Sequence, residues 1–281
     1  MNKLICIISL FVITALNFTA QAQSWPDGVK GKKTFVDEII LNYNAEKNIP
    51  FDIDQPSLSV KIPIRLHIIK SIDGLDNADP SQVYNSLEKA NTLFKTIGIS
   101  FFIDSVNYIP DYNYAFITEG ILFTEMLTLY ATAGKINLFL ADSVRMDSVR
   151  TYGYTYFPTA IDSNYIFLDK KFINGNYLST MLGHFMGLLS THDKRGGMEM
   201  ANEQNCAQSG DFICDTYADP NLYAKVDDKC IYNGYSTDPS GAYFVPSVAN
   251  VMADSPDNCK CKFSPQQYRR MYFYYLRYRK N

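Results

Sequence analysis

Histidine is scarce in this chain: its 281 residues contain three, His67, His184 and His192. Three imidazoles limit what a histidine-based metal or acid–base site can draw on. No G-x-S-x-G elbow, P-loop or dinucleotide fingerprint occurs, so those three routes to hydrolysis or nucleotide chemistry have no support. Charge of one sign is never massed. Lys and Arg number 26 against 29 Asp and Glu, for a net charge of −3, and no block suggests nucleic acid or a membrane surface as partner. Repeats and low-complexity tracts are absent. The 21 tyrosines are scattered, which suits packing and surface use better than a base-stacking platform.

Long apolar runs are also missing, apart from one at the start. In MNKLICIISLFVITALNFTAQAQ, Lys3 is followed by an apolar stretch from Leu4 to Leu16 and by the small residues of Ala20-Gln21-Ala22. That layout predicts a secretory signal peptide, residues 1–22, cleaved after Ala22. The apolar run is shorter than the ~20 residues of a spanning helix, and Cys6 lies too early to be lipidated at the cleavage site. The expectation is an exported protein, periplasmic or extracellular, with no membrane span.

Cysteine is missing between Cys6 and Cys206, then recurs at Cys206, Cys214, Cys230, Cys259 and Cys261. In an exported chain, such clustering predicts a disulfide-stapled, loop-rich C-terminal region with one thiol left over. A cysteine zinc site is the competing reading, but the close pair Cys259 and Cys261 lacks ligand spacing.

Residues 23–60 are polar and broken by proline and glycine, with one short helical candidate from Thr34 to Tyr43. They read as an N-terminal extension outside the core. From 61 on, KIPIRLHIIK alternates as a strand with Ile62, Ile64, Leu66 and Ile68 on one face. His67 sits on this strand as a sheet residue near the core. Asp79-Pro80-Ser81-Gln82 reads as a helix start. The helix that follows lines up Val83, Leu87, Ala90, Phe94 and Ile97 and stops at Gly98. ISFFIDSVNYI, INLFLAD, GYTYFP and NYIFLDK are further strands, which together predict an α/β lobe with a largely buried sheet.

The stretch NYLSTMLGHFMGLLSTH, residues 176–192, carries the chemistry. Leu178, Met181, Leu182, Phe185 and Leu189 are spaced as on a helix, and Gly187 is a natural break. The frame H-E-x-x-H-x-x-G-x-x-H puts two histidines on one helical face, and its glycine turns the chain toward a third. Its Glu serves as general base for a zinc-bound water. On that frame Thr180 takes the first ligand position, Met181 the general-base position and Ser190 the third ligand position. His184 and Gly187 are retained.

Around this stretch the chain resembles the pappalysin-like metzincin zinc metallopeptidases, from about residue 60 to 272. IPIRLHIIKSIDG resembles the family's opening strand, and TYGYTYFP its segment before the active-site helix. STH resembles an H-T-H that has lost its first histidine. SGDFICDTYADPNL is similar to G-D-x-x-x-D-T-P, and NVMADSPDNCKCKFSPQQYRRM to a Met-turn followed by F-[ST]-x-x-Q-x-x-R-M. The resemblance implies a metzincin-like zincin fold of the α+β or α/β class, with a mixed twisted sheet, an active-site helix and a stapled C-terminal subdomain. It places the metallopeptidase-like domain at 61–281, with an upper lobe 61–187 and a lower lobe 188–281. Met252 matches the methionine beneath the metal, and Asp254 stands where the family has a tyrosine. It also implies the disulfides Cys206–Cys230 and Cys214–Cys259, leaving Cys261 over.

Four positions have therefore changed together: Thr180, Met181, Ser190 and Asp254. A rebuilt zinc site would need His184 and His192 with Asp193 or Asp254, and would still lack a base, because methionine takes no proton. Asp211, Asp215 and Asp219 offer oxygen ligands for calcium, or turn caps on a tied loop. In the C-terminal YRRMYFYYLRYRKN, an aromatic face is expected to dock with its arginines outward. The leading expectation is a degenerate, non-catalytic pseudopeptidase that binds a peptide or protein in its cleft. An active zinc endopeptidase with rearranged ligands and a structural or adhesive surface protein are the alternatives.

Overall fold

The computed structural model describes residues 28–30, 32–71, 78–146, 149–158 and 164–280. The expected signal peptide lies outside the described residues. The first half holds β1 (Gly28–Lys30), α1 (Lys32–Asn48), β2 (Val60–Ile69), α2 (Pro80–Phe94), β3 (Ile99–Ile109), β4 (Phe116–Ile117) and α3 (Ile121–Tyr130). Then come β5 (Ile136–Ala141), β6 (Ser143–Met146), β7 (Val149–Thr151), β8 (Gly153–Tyr156), β9 (Tyr165–Asp169), α4 (Tyr177–Phe185) and α5 (Pro265–Tyr274).

Six strands form the main sheet in the order β1-β8-β9-β5-β2-β3. Every pairing in it is parallel except β8 with β9. The alternation in β2 does what its period demands. Ile64, Leu66 and Ile68 enter the core under α2, α4 and α5, while Ile69 joins Phe139 and Phe167 on the opposite face. Both faces are covered, as a mostly parallel sheet requires. His67 is fully buried on β2, hydrogen-bonded to Asn137 and Asn107 and stacked on Phe139 at 4.3 Å. Burial pushes its pKa down to about 4, so it is a neutral sheet residue.

The helix start at Asp79 forms as expected, its carboxylate accepting from Ser81 N with Pro80 at the first turn. All five apolar positions of that helix are buried, and the chain leaves it through Gly98 at φ +69°. An alanine there would drive Cβ to 2.0 Å from Leu58 O.

The N-terminal extension is part of the core, contrary to the reading of its composition. α1 is longer than the helical candidate, and its buried Phe35 stacks on Phe157 at 4.1 Å and leans on Tyr274 at 4.9 Å. Glu46 forms a buried ion pair with Arg270 of α5. Arg270 therefore does not point outward. Its Nη1 and Nη2 also donate to Asp211 O and Phe212 O, at 2.6 and 2.8 Å.

From residue 190 to 256 the chain is loops, with isolated bridges at Val226–Tyr232, Thr237–Tyr243 and Asn250–Lys262. Two disulfides staple this region, but not in the expected pairing. Cys206 joins Cys214 and Cys230 joins Cys259, at Cα separations of 5.0 and 5.5 Å. A succession of tight turns, with Gly210 and Phe212 at positive φ, folds the 206–214 segment back on itself. Cys206 is thus satisfied locally, and Cys230 meets the short helical turn Asp257–Cys259. Among the described residues Cys261 is the free thiol, and it is exposed.

Candidate functional site

The zinc-motif stretch folds as α4, which ends just before Gly187 at φ +98°. Glycine is needed there twice over, because a Cβ would also meet the Tyr274 ring at 2.9 Å and Phe35 at 3.2 Å. Past this break the chain returns beside its own helix, Leu188 N donating to Gly183 O at 2.9 Å.

Thr180, Met181, His184 and Ser190 are all buried. Thr180 is buried, and its hydroxyl donates to Val251 O at 3.0 Å, tying α4 to the turn that carries Met252. Met181 is fully buried in the main core beside Leu138 and Leu182. Ser190 is buried, and its hydroxyl has no hydrogen-bond partner among the described residues. His184 is fully buried, with Nδ1 at 2.7 Å from Leu188 O and the Phe157 ring edge-on at 6.1 Å. A carbonyl can only accept, so Nδ1 carries the proton and Nε2 bears the lone pair. That is the tautomer a metal ligand needs.

Met252 keeps its place beneath α4: a Cβ on Gly183 would lie 2.6 Å from its sulfur. Its carbonyl accepts from Thr191 N at 3.1 Å, and its amide donates to Asn250 Oδ1 at 2.9 Å. The residues that a rebuilt site would recruit are dispersed. Asp193 is engaged by Arg195 through Nε at 2.9 Å and through Nη2. Asp254 lies near Tyr177, at the start of α4. Burial first, then Asp257 and Asp254, push that phenol up to about 12. Among the described residues, no group of three or more His, Cys, Asp or Glu side chains is placed to hold a metal ion. One imidazole, a methionine and two hydroxyls are not a zinc donor set.

The three aspartates of the C-terminal loops each serve a turn. Asp211, fully buried, accepts from Ile213 N and the Thr216 hydroxyl, both at 3.0 Å. Asp215 accepts from Ser264 Oγ at 2.5 Å and Gln266 N at 2.8 Å, which caps α5. Asp219 accepts from Thr191 Oγ1 at 2.6 Å and Asn221 N at 2.7 Å. Burial raises the pKa of Asp219, and His192 is the largest opposing charge. Glu199, which no motif marked, is buried beside them, and neither carboxylate oxygen has a partner among the described residues. Burial, then Asp211, Glu203 and Asp219, push it up to about 9. Burial likewise pushes Asp211 up to about 7.

A mixed sheet, a helix broken at glycine and a methionine turn packed beneath that helix define a metzincin-like metallopeptidase fold. The resemblance read from the motifs is borne out at that level. A promirolysin mutant from Tannerella forsythia superposes with a TM-score of 0.53 at 14% identity, over 87% of this chain and 88% of that one. Mirolysin in complex with compound 9 gives 0.51 at 14% identity, over 77% of this chain and 91% of that one. By sequence, an extracellular metalloprotease of Sordaria macrospora is 26% identical over 231 residues, which is 79% of this chain and 77% of that protein. No family model matches the chain. No helix among the described residues is long and apolar enough to cross a membrane.

Proposed function

We propose that this is an exported, non-catalytic member of the metzincin-like fold, one that recognises a partner instead of cutting it. The carrying observation is that the ligand and base positions are built into the core, with Thr180 bonded to Val251 O and Met181 fully buried. Methionine cannot act as a base. Thr180 and Ser190 leave His184 without companion ligands, so folding does not depend on a metal. Export is supported by the signal-like N-terminus, the two staples and the extracellular relative. The purified protein is expected to be folded, to hold no stoichiometric zinc, and to leave a broad peptide library intact. About one tightly held zinc per chain by elemental analysis, or chelator-sensitive cleavage that disappears in His184→Ala, overturns the reading.

The partner reading is a peptide or protein taken at the cleft, and β1 sets its condition. β8, the antiparallel strand packed next to α4, has its outer edge occupied by Gly28–Lys30 in parallel register. An extended ligand adds to that edge only by replacing β1. A chain starting at Thr34 is expected to capture peptides from an extended-peptide array that the chain starting at Gln23 does not. Equal silence from both counts against cleft binding and favours a structural role for the protein.

A further inference from the structure

Arg279 contrasts with Arg270. Arg270 uses all three guanidinium nitrogens on Glu46, Asp211 O and Phe212 O. Arg279 uses one: Nη1 donates to Asn164 Oδ1 at 2.6 Å. Its guanidinium carbon lies 3.7 Å from the Phe185 ring centre, a stacked cation–π contact against the last residue of α4. Nε and Nη2 are buried and have no hydrogen-bond partner among the described residues. Those two N–H groups form the parallel fork that engages a carboxylate in bidentate fashion. Desolvation lowers the pKa of Arg279 to about 10, and no carboxylate among the described residues offsets it.

A buried cation is normally paired, because removing it from water costs several kcal/mol. Arg279 lines a cavity of about 220 Å³ between the start of β2, the start of β5 and the C-terminal turn after α5. Lys61 and Lys135 line it too, with Asn164, Phe185 and Tyr275, and among the described residues no Asp or Glu does. Lys135 is held by Asp104, while Lys61 is exposed. The cavity is thus lined by positively charged and aromatic side chains, and the unfilled Arg279 fork is buried and not open to it.

We propose that this cavity is a binding site for a small organic carboxylate, toward which the Arg279 fork turns as its charge partner while the aromatic walls pack its carbon skeleton. The site is independent of α4's lost ligand positions. A volume of about 220 Å³ suits a compound with few heavy atoms, since a water in the liquid occupies about 30 Å³.

The test uses the full mature chain with acetate, succinate and inorganic phosphate as probes, each at about 10 mM and matched in ionic strength with chloride. Acetate or succinate is expected to raise the melting temperature and to bind by calorimetry. Arg279→Gln should weaken that binding about tenfold or more. It should leave the ligand-free protein at least as stable, because an unpaired buried charge has been removed. If Arg279→Gln does not fold, Lys61→Ala on the exposed wall is the second variant, with a smaller loss expected. Three results overturn the proposal: no response beyond chloride, a response to phosphate without one to the carboxylates, or a carboxylate response undiminished in Arg279→Gln.

Discussion

The Thr180 hydroxyl is satisfied on a nearby carbonyl, Val251 O, whereas the buried Ser190 hydroxyl has no hydrogen-bond partner among the described residues. Glu199 is the residue where buried charge has the clearest consequence. Its folded pKa of about 9 lies far above the ordinary 4.5. The native carboxyl therefore keeps its proton over a range in which the unfolded chain has lost it. The stability it contributes is full below the unfolded value and is lost as pH rises from about 4.5 to about 9. Asp211 acts in the same direction between 3.8 and about 7. Measured in chelator, wild-type melting temperature should fall across this range, and Glu199→Gln should show a flatter profile with its largest gain at the alkaline end. Superimposable profiles would show that Glu199 does not carry a native-state proton. Calcium added at the alkaline end tests the calcium expectation, since a gain lost in Glu199→Gln assigns the ion to this cluster. The replaced ligand positions were legible because a fixed spacing frames them. Glu199 and Arg279 were not, because their burial is made by loops and chain ends that follow no period.

At the scale of elements, the motifs that match the metallopeptidase pattern also carry hydrogen bonds that hold the fold. Asn250 of the methionine turn and Gln267 of α5 exchange amide hydrogen bonds, at 2.9 and 3.2 Å. Gln267 also completes the capping box with Ser264. Asp215 caps the same helix from the G-D-x-x-x-D-T loop. These polar spacings read from the sequence because caps are local. α1 was harder: Ile40 and Leu41 are 60% and 78% exposed beside fully buried Ile39, which blurs its apolar face. In α3, only Met126 is fully packed away, while Ile121 and Leu122 face solvent. That helix, with the small β4-β6-β7 sheet, had no clean period to find. If α1 is a core element, Phe35→Ala should cost about 3–5 kcal/mol in urea unfolding, as for a buried aromatic. Leu41→Ala should stay within about 0.5 kcal/mol. A Phe35→Ala cost as small as that of Leu41→Ala would return α1 to the status of a loose appendage.

For the whole molecule, the order of fold classes was legible and the wiring of its loop-rich half was not, because five cysteines leave several pairings open. In an active zincin, an ion joins the helix to the chain beyond its glycine. In this chain Thr180–Val251, Thr191–Met252 and the seat of Met252 under Gly183 tie the same parts together. All three contacts end on Val251 or Met252, inside the loop closed by Cys230–Cys259. The smaller staple, Cys206–Cys214, closes a segment that its own turns already fold. The two bridges should therefore differ in reach as well as in strength. Non-reducing peptide mapping is expected to recover 206 linked to 214 and 230 linked to 259, and a 206–230 linkage would refute this wiring. From loop length alone, removing Cys230–Cys259 should cost about 3.5 kcal/mol and removing Cys206–Cys214 about 2.5 kcal/mol. Hydrogen exchange separates the mechanisms further. Loss of the longer staple should speed exchange at the Thr191 and Met252 amides, because the turn that receives them is freed. Loss of the shorter one should leave those amides protected and loosen only residues 206–214. Unchanged protection at Met252 without Cys230–Cys259 would show that the core contacts of the methionine turn are sufficient on their own.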